Sequence, residues 1–456
     1  MKNFNHIEPL PKHAFHKKHE KVNAITYRSN SESDYTEKIR ELELGFKYDE
    51  HCSHFWTDLE QSLLYGTPIF DAASDQQRKA LNHLYWVIQN NSTAASEANT
   101  IVYNQVTNGV FERVGGYATL CKELELETTQ EYYHIHAFQK VGHRTRCSLI
   151  GNKGFAKLLQ NKQSNRQSQE FKLPGINALS APLQEKGLSL LAKSMLPKEQ
   201  FCSSDYLQTL EAQGKKIPSP VQGSAGRMAS PRLLKFFTLN WGSSPFLACS
   251  FYAIRYIANA LLKSQEHPRS KYYKHLQKQG LPIPTPTAIS HYHFLDESFH
   301  TTTSQVLAQE MYKDFPSPSL YETYVANWAI YLAQKNVIRY HGGLSCGLPA
   351  RCFRDDVSFM HFMYQLLQSP IFEMSSSEAL EWMRKSFCFE HEGFYVAQRH
   401  YQKFVANLRD FFGHLTYLWP VNRDMQLIDD WGTVEHGISA STKAFNEFET
   451  WLIRQN

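Results

Sequence analysis

Apolar residues recur along this chain with the three-to-four-residue spacing of α-helices, and no segment shows the strict alternation that is typical of a substantial sheet. The first long helical pattern covers residues 75–108, contains neither proline nor glycine, and is followed by Gly109. A second predicted helix covers residues 117–141. Since no internal repeat of 20–50 residues is visible either, the pattern predicts an all-α protein.

Residues 161–232 are polar and rich in turn-forming residues, so we expect irregular structure there. The helical pattern returns in residues 244–266, where Pro268 is expected to end the helix, and again in residues 288–312. We divide the chain into an N-terminal extension (1–70), a helical bundle (71–315) and a C-terminal helical extension (316–456). Helices of the last part are predicted in LYETYVANWAIYLAQKN, DDVSFMHFMYQLL, SSSEALEWMRKSF and FYVAQRHYQKFVANLRDFF.

Composition narrows the class of protein. The 456 residues are 42% apolar and 13% aromatic, which is enough for a large buried core. With 48 basic and 44 acidic residues, the net charge of +4 does not favour nucleic-acid binding. We find no secretory leader and no uninterrupted apolar run of about 18 residues, so we expect no membrane association. Eight scattered cysteines without a C-x-x-C pair indicate a reducing, cytoplasmic compartment.

The stretch HYHFLDESFH at residues 291–300 carries the first candidate chemistry. On a helix that advances about 100° per residue, His293, Glu297 and His300 point the same way. Asp296 lies at the edge of this face, where it could orient a metal-binding histidine or be exposed to solvent. On its own, the face could also be a polar surface of an exposed helix.

Two other predicted helices supply compatible side chains. Glu131 and His134 are three residues apart in EYYH, so both can reach one ion. Glu97 precedes Glu131 by 34 residues, and two antiparallel helices joined by a short turn would bring the two glutamates into register. Carboxylates and imidazoles projecting inward from facing helices are what a pair of iron or manganese ions needs. A zinc protease is disfavoured because H-E-x-x-H is absent.

This ordered set, Glu97, then EYYH, then HFLDESFH, resembles the ferritin-like non-haem diiron oxygenases, in particular the p-aminobenzoate N-oxygenase (AurF-like) family. The shorter DESFH also resembles the motif of acyl-carrier-protein desaturases. The resemblance covers residues 75–312 and implies a ferritin-like four-helix metal bundle that holds two Fe ions, with Mn or a mixed Fe/Mn pair as variants. The ligands that it implies are Glu97, Glu131, His134, His293, Glu297 and His300.

One departure from these families concerns the helix before the last metal motif. Both families have a further glutamate there, whereas SPFLACSFYAIRYIANALL contains no acid. Glu266 has a suitable linear spacing of 31 residues from Glu297, but it lies near the predicted helix end beside Pro268. Glu266 is therefore an additional candidate ligand, and a carboxylate from another segment is an alternative.

The resulting hypothesis is an O2-dependent diiron oxidoreductase that oxidises an amine or a C–H bond of a small or carrier-bound organic substrate. Its partners would be dioxygen and an external electron donor, since the chain contains no dinucleotide fingerprint. A homodimer is one assembly that the C-terminal extension could form. The alternatives are a non-catalytic helical binding protein with a structural metal or none, and an iron-storing or peroxide-scavenging protein.

Overall fold

The computed structural model describes residues 17–164, 238–338, 356–428 and 432–455, with scattered residues between 190 and 212. In this part of the chain the backbone forms helices and turns and contains no strand, which confirms the all-α class. Most of the segment predicted to be irregular lies outside the described residues.

Along the described part of the chain, four long α-helices are preceded and followed by shorter ones. The helices are α1 (Lys17–Glu32), α2 (Thr36–Gly45), α3 (Pro68–Ala72), α4 (Asp75–Val114), α5 (Ala118–Ser164), α6 (Pro245–Gln279), α7 (Thr285–Gln309), α8 (Leu320–Ala333), α9 (Asp356–Leu367), α10 (Ser376–Phe387), α11 (Glu392–Gly413), α12 (Pro420–Arg423) and α13 (Val434–Gln455). Short 3-10 helices lie at Tyr48–Glu50, Leu59–Gln61, Met311–Asp314 and Gln426–Ile428, and a π-helical segment at Gln334–Ile338 follows α8.

Helix α4 begins where the sequence predicts but ends later. Ser74 and Gln77 form a reciprocal capping box that starts the helix at Asp75. The predicted end at Gly109 is wrong, because the helix continues to Val114 and stops at Gly115, which has a φ of +76°. A side chain at position 109 would meet Ser204 Oγ at 2.7 Å. The missing side chain of Gly109 therefore allows α4 and the segment around Ser204 to approach closely, and this glycine does not end the helix.

The predicted end of α6 before Pro268 is also wrong, since this helix continues to Gln279. An internal proline costs about 3 kcal/mol, and contacts on both sides of it offset that cost. Before it, Glu266 accepts a hydrogen bond from His293 at 2.8 Å. After it, Ser270 pairs with His291 at 2.8 Å. Glu266 consequently lies in the helix interior and is fully buried.

Four long helices, α4, α5, α6 and α7, pack side by side with antiparallel contacts between neighbours. For the α4 and α6 pair, Asn104 contacts Arg255 and Asn90 contacts Arg269, so the residue numbers run in opposite directions. The other neighbouring pairs also run in opposite directions. Between α4 and α5, Asn104 lies near Glu127 and Asn91 near Gly142. Between α5 and α7 the contacts are Gln130 to His300 and His134 to Asp296, and between α6 and α7 they are Tyr256 to Gln305 and Glu266 to His293.

The shorter helices cover these four on several sides. Helices α1 and α2 contact α5 and α7, while α8 and α11 contact α6. Helices α9, α10 and α13 share an apolar core with the first turns of α4. Helix α6 is long and apolar enough to cross a membrane by length and composition, but 78% of its most apolar window is buried inside the protein. These contacts surround the inner side chains of the four helices with protein.

A buried histidine near the start of α4 makes the packing of this region sensitive to acid. His83 stacks on Trp56 and contacts Tyr48 Oη at 3.0 Å and the His54 carbonyl at 2.7 Å. Burial lowers the pKa of His83 from 6.5 to about 4. Between these two pKa values the unfolded chain binds a proton at His83 that the folded chain does not bind. The free energy of unfolding therefore keeps this contribution above pH 6.5 and loses it as the pH drops towards 4, by at most about 3 kcal/mol.

We expect His83→Phe to reduce the loss of stability between about pH 7 and pH 4 relative to the parent protein. Urea unfolding at both pH values measures this difference. The control is the same substitution at His414, whose side chain is exposed. An unchanged pH dependence in the His83 variant would assign the acid sensitivity to other groups.

Candidate metal centre

All six residues that the sequence analysis names as ligands lie close together, in two groups that share one carboxylate. Each of the six is at most 6% exposed. Helix α4 supplies one residue, α5 two and α7 three. The first group is Glu97, His134, His293 and Glu297, and the second is Glu131, Glu297 and His300, with the potential ligand atoms of each group within 4.8 Å of one another.

Each of the three histidines directs one ring nitrogen into the cluster and the other to a hydrogen-bond acceptor outside it. His134 Nδ1 faces inward while Nε2 lies 3.2 Å from Asp296. His293 Nε2 lies 2.8 Å from Glu97, and its Nδ1 donates to Glu266. His300 behaves likewise, with Nδ1 at 2.8 Å from Glu297 Oε1 and Nε2 at 2.9 Å from Gln130 Oε1. Metal-binding histidines are usually oriented by such outer acceptors.

Three inward-facing atoms have no hydrogen-bond partner in the described part of the chain. They are Glu97 Oε2, Glu131 Oε2 and His134 Nδ1, and all three are buried. Buried polar atoms without partners cost free energy unless a ligand satisfies them. A carboxylate and imidazole donor set without thiolates suits iron or manganese. The residues therefore fit a pair of such ions.

Opposite charges hold the cluster together electrostatically. Burial raises the pKa of Glu97 to about 7, although its hydrogen bond to His293 opposes that shift. Burial lowers the pKa of His300, but Glu297 outweighs it and raises this pKa to about 10. Burial and His293 lower the pKa of His134, but the hydrogen bond to Asp296 and the nearby Glu131 carboxylate raise it to about 9. A cation binds an imidazole through a deprotonated nitrogen, so a bound metal ion would compete with protons at these histidines.

The structure also shows where the two uncertain acids lie. Asp296 is fully buried and contacts His134, so it is not exposed to solvent. Glu266 contacts the outer nitrogen of His293 and belongs to neither ligand group. This position favours an orienting role for Glu266, whereas the ligand roles of all seven residues remain predictions.

Sequence reasoning missed a buried ion pair and an orienting amide beside the cluster. Arg255 Nη1 lies 2.6 Å from Glu127 Oε2, and Nη2 lies 3.4 Å from Glu131 Oε1. Gln130 holds His300. One signal was available, because Arg255 is the single charged residue in SPFLACSFYAIRYIANALL. A second was the spacing of Glu127, Glu131 and His134, which puts all three on one helix face.

We expect Gln130→Leu to weaken metal binding about 10- to 100-fold, because His300 loses the acceptor that orients its ring. Competition with a chelator of known affinity measures the change. Thr129→Leu, at an exposed position on the same helix, is the control and should bind metal like the parent protein. Equal affinities of the two variants would remove Gln130 from the support of the site.

Comparison with known families identifies the class of protein. The family model described as "Acyl halogenase CylC-like" matches residues 18–449. The chain therefore belongs to the acyl halogenase CylC-like family, which is a family of enzymes. No curated protein and no solved structure matches the chain.

This family corrects the function expected from the motifs. The matching family is one of acyl halogenases. The interpretation as a ferritin-like diiron oxygenase related to the p-aminobenzoate N-oxygenases or the desaturases is therefore wrong. The expected oxidation of an amine or C–H bond by an O2-activating oxidase or oxygenase is wrong for the same reason. The physical reason is that short spacings such as E-x-x-H report which donors share a helix face, and different reactions use the same donors.

Proposed function

We propose that this protein is a metal-dependent halogenase that replaces a hydrogen atom of an acyl chain with a halogen. The class of reaction comes from the family, and the site comes from the geometry. The observation that carries the proposal is the set of three buried histidines, each with one nitrogen turned into a cluster around Glu297 and the other hydrogen-bonded outside it.

Two ions would be held by the two groups that share Glu297. The first would bind Glu97, His134 and His293, and the second Glu131 and His300, with Glu297 common to both. When bound, two iron ions, or manganese in their place, would supply the redox chemistry that an unactivated C–H bond requires. The surrounding protein excludes water from this cluster, since every ligand candidate is buried.

The arrangement of the long helices supports a ferritin-like bundle as the scaffold. Helices α4 and α5 form one antiparallel pair, α6 and α7 form another, and the contacts between the pairs are antiparallel as well. We infer that these four helices are the metal bundle. In ferritin-like bundles all four helices usually supply ligands; here α4, α5 and α7 carry the ligand candidates of the two groups, and α6 contributes Glu266, which contacts the outer nitrogen of His293.

Replacing C–H with C–halogen from a halide ion releases one proton and two electrons from the substrate and halide together. The reaction therefore needs a two-electron oxidant. Dioxygen, reduced to water with two further electrons from an external donor, balances the reaction and is the oxidant that the assay supplies. The substrate is an acyl chain, either free or bound to a carrier.

The test is product formation by the full-length protein loaded with iron. It is incubated with a fatty acid or its thioester, bromide, dioxygen and a chemical reductant, and the products are analysed by mass spectrometry. We expect a product with the isotope doublet of bromine. The double variant His293→Ala/His300→Ala should lack both the bound metal and this product.

The alternatives give different results. An active parent protein that yields only hydroxylated or desaturated chains would contradict halogenation. A brominated product from the double variant would place the reaction at another site. A metal-loaded protein that binds the acyl probe without converting it would favour a non-catalytic role, which family membership does not support.

A further inference from the structure

A second buried cationic group lies beside the metal cluster, between α4 and α6. Arg269 is fully buried. Its Nη1 donates to Asn90 Oδ1 at 3.1 Å, and its guanidinium carbon lies 5.8 Å from the centre of the Tyr85 ring. The N–H groups at Nε and Nη2 have no hydrogen-bond partner within the described ranges. A buried guanidinium with unused donors calls for an explanation.

Two buried amides on α4, one of them the Asn90 that contacts Arg269, also have unused donors. Gln89 Nε2 and Asn90 Nδ2 lack partners among the residues whose side chains are described. Around α4, Gln89 lies about 40° from Tyr85 and about 100° from Asn90, which places it between the two residues that contact Arg269. The Gln89 oxygen is unpaired as well, and rotation of the amide can present its N–H side. Arg269 and Asn90 thus bring three unused donor atoms to one place in the interior, and the position of Gln89 on α4 puts a fourth near the same face of this helix.

The charge of Arg269 is compensated less well than that of the other buried arginine on the same helix. Arg255 forms ion pairs with Glu127 and Glu131. Among the described residues, Arg269 forms no ion pair, and the nearby Glu266 carboxylate already binds His293. Burial lowers the pKa of Arg269, whereas in Arg255 the attraction of Glu127 overcomes the effect of burial and raises the pKa. A buried charge of this kind favours an anion beside it.

We propose that Arg269, Gln89 and Asn90 form the binding site of the halide substrate, an inference that rests on the proposed halogenation. A halide ion accepts N–H bonds from several directions and brings no donor of its own, so it matches a site bordered by donors. The site is close to the candidate metal centre. Arg269 lies about 4.5 Å beyond Glu266 along α6, and Asn90 about 10 Å from Glu97 along α4.

The carboxylate of an acyl substrate has the same charge and the same acceptor chemistry, so the experiment separates the two anions. Sodium bromide and sodium acetate are titrated calorimetrically into the full-length protein, both metal-free and iron-loaded. The variants are Arg269→Gln and Gln89→Met, the second of which preserves the buried volume and the arginine charge. Gln334→Met is the control, since Gln334 is a buried glutamine that donates to the Asn422 carbonyl away from the site.

We expect bromide to bind the metal-free parent protein and acetate to bind much more weakly. Gln89→Met and Arg269→Gln should each weaken bromide binding at least about tenfold, whereas Gln334→Met should not. Three results would each overturn the inference. The protein could bind acetate instead of bromide, it could bind bromide only with the metal present and with the same affinity in these variants, or it could bind neither anion.

This outcome is separable from the fate of the proposed function. If the parent protein halogenates an acyl chain but Gln89→Met and Arg269→Gln leave the bromide affinity unchanged, the halide site alone is disproved. A parent protein whose bromide affinity depends on these residues but which forms no halogenated product disproves the proposed reaction and leaves an anion site.

Discussion

Glu297→Ala is expected to remove both metal ions from the protein, whereas Glu97→Ala removes only one. Glu297 is the carboxylate shared by the two ligand groups, while Glu97 belongs to the first group alone. Without Glu297 each group loses an oxygen donor, and the three histidines lose the anion that binds His300 at 2.8 Å. Halogenation should fall by a factor on the order of 10³ or more, as the loss of several kcal/mol of stabilisation by the metal implies.

Elemental analysis of the purified variants measures this result directly. The parent protein should contain about two ions, one for each ligand group. Glu310→Ala is the control, because this glutamate follows α7 directly and is exposed. Circular dichroism must show that the Glu297 variant keeps its helices. A folded Glu297→Ala protein that retains a full complement of metal would show that the groups do not share this residue.

Arg255→Met is expected to lower the free energy of unfolding of the metal-free protein by about 3–5 kcal/mol. The guanidinium and its partner Glu127 are both almost completely buried, and Glu131 lies on its other side. Removing the arginine leaves the buried Glu127 carboxylate without its counter-charge and takes one of the neighbouring cations from Glu131, which is a far larger cost than the loss of one surface ion pair.

Urea unfolding of the metal-free variants measures the change in free energy. Arg399→Met is the matched control, because its ion pair with Glu392 is more than half exposed and should contribute about 1 kcal/mol or less. Adding Glu127→Gln to Arg255→Met should restore part of the stability, since one uncompensated charge is then removed. Equal losses in the two single variants would show that the buried pair does not stabilise the fold.

The shared inward direction of the ligand candidates was predictable because it depends on local helix geometry, while their binding of metal stays a prediction. His293, Glu297 and His300 are separated by four and three residues, so any straight helix directs them to one side. Glu131 and His134 follow the same rule. The register between Glu97 and Glu131 followed from a short Gly115–Gly116 connection between two antiparallel helices.

The residues that support the cluster were not predictable in the same way. Glu266 was expected near the end of a helix, because proline at position 268 weakens the local backbone, but tertiary contacts with α7 extend the helix and bury this side chain. Gln130, Arg255 and Arg269 acquire their partners from other helices. Such contacts depend on which faces pack together, and helical periodicity specifies faces but not their partners.

The reaction could not be read from the ligand motifs either. Any enzyme that needs the same metal ligands can have the same spacings between them. The spacings here therefore favoured an oxygenase, whereas the match over residues 18–449 places the chain in an acyl halogenase family.

The sequence by itself therefore determined the all-α class, the long helices and the inward faces that carry Glu97, Glu131, His134, His293, Glu297 and His300, because helix formation and side-chain direction depend on residues within a few turns. Only the tertiary structure decided that the faces meet around Glu297, that Glu266 and Gln130 orient histidines, and that Arg269 is buried with unused donors. The reason is that burial and ion pairing join residues far apart in the chain, such as Glu97 and His293 at a separation of 196 positions, and their energies exist only after the helices have packed.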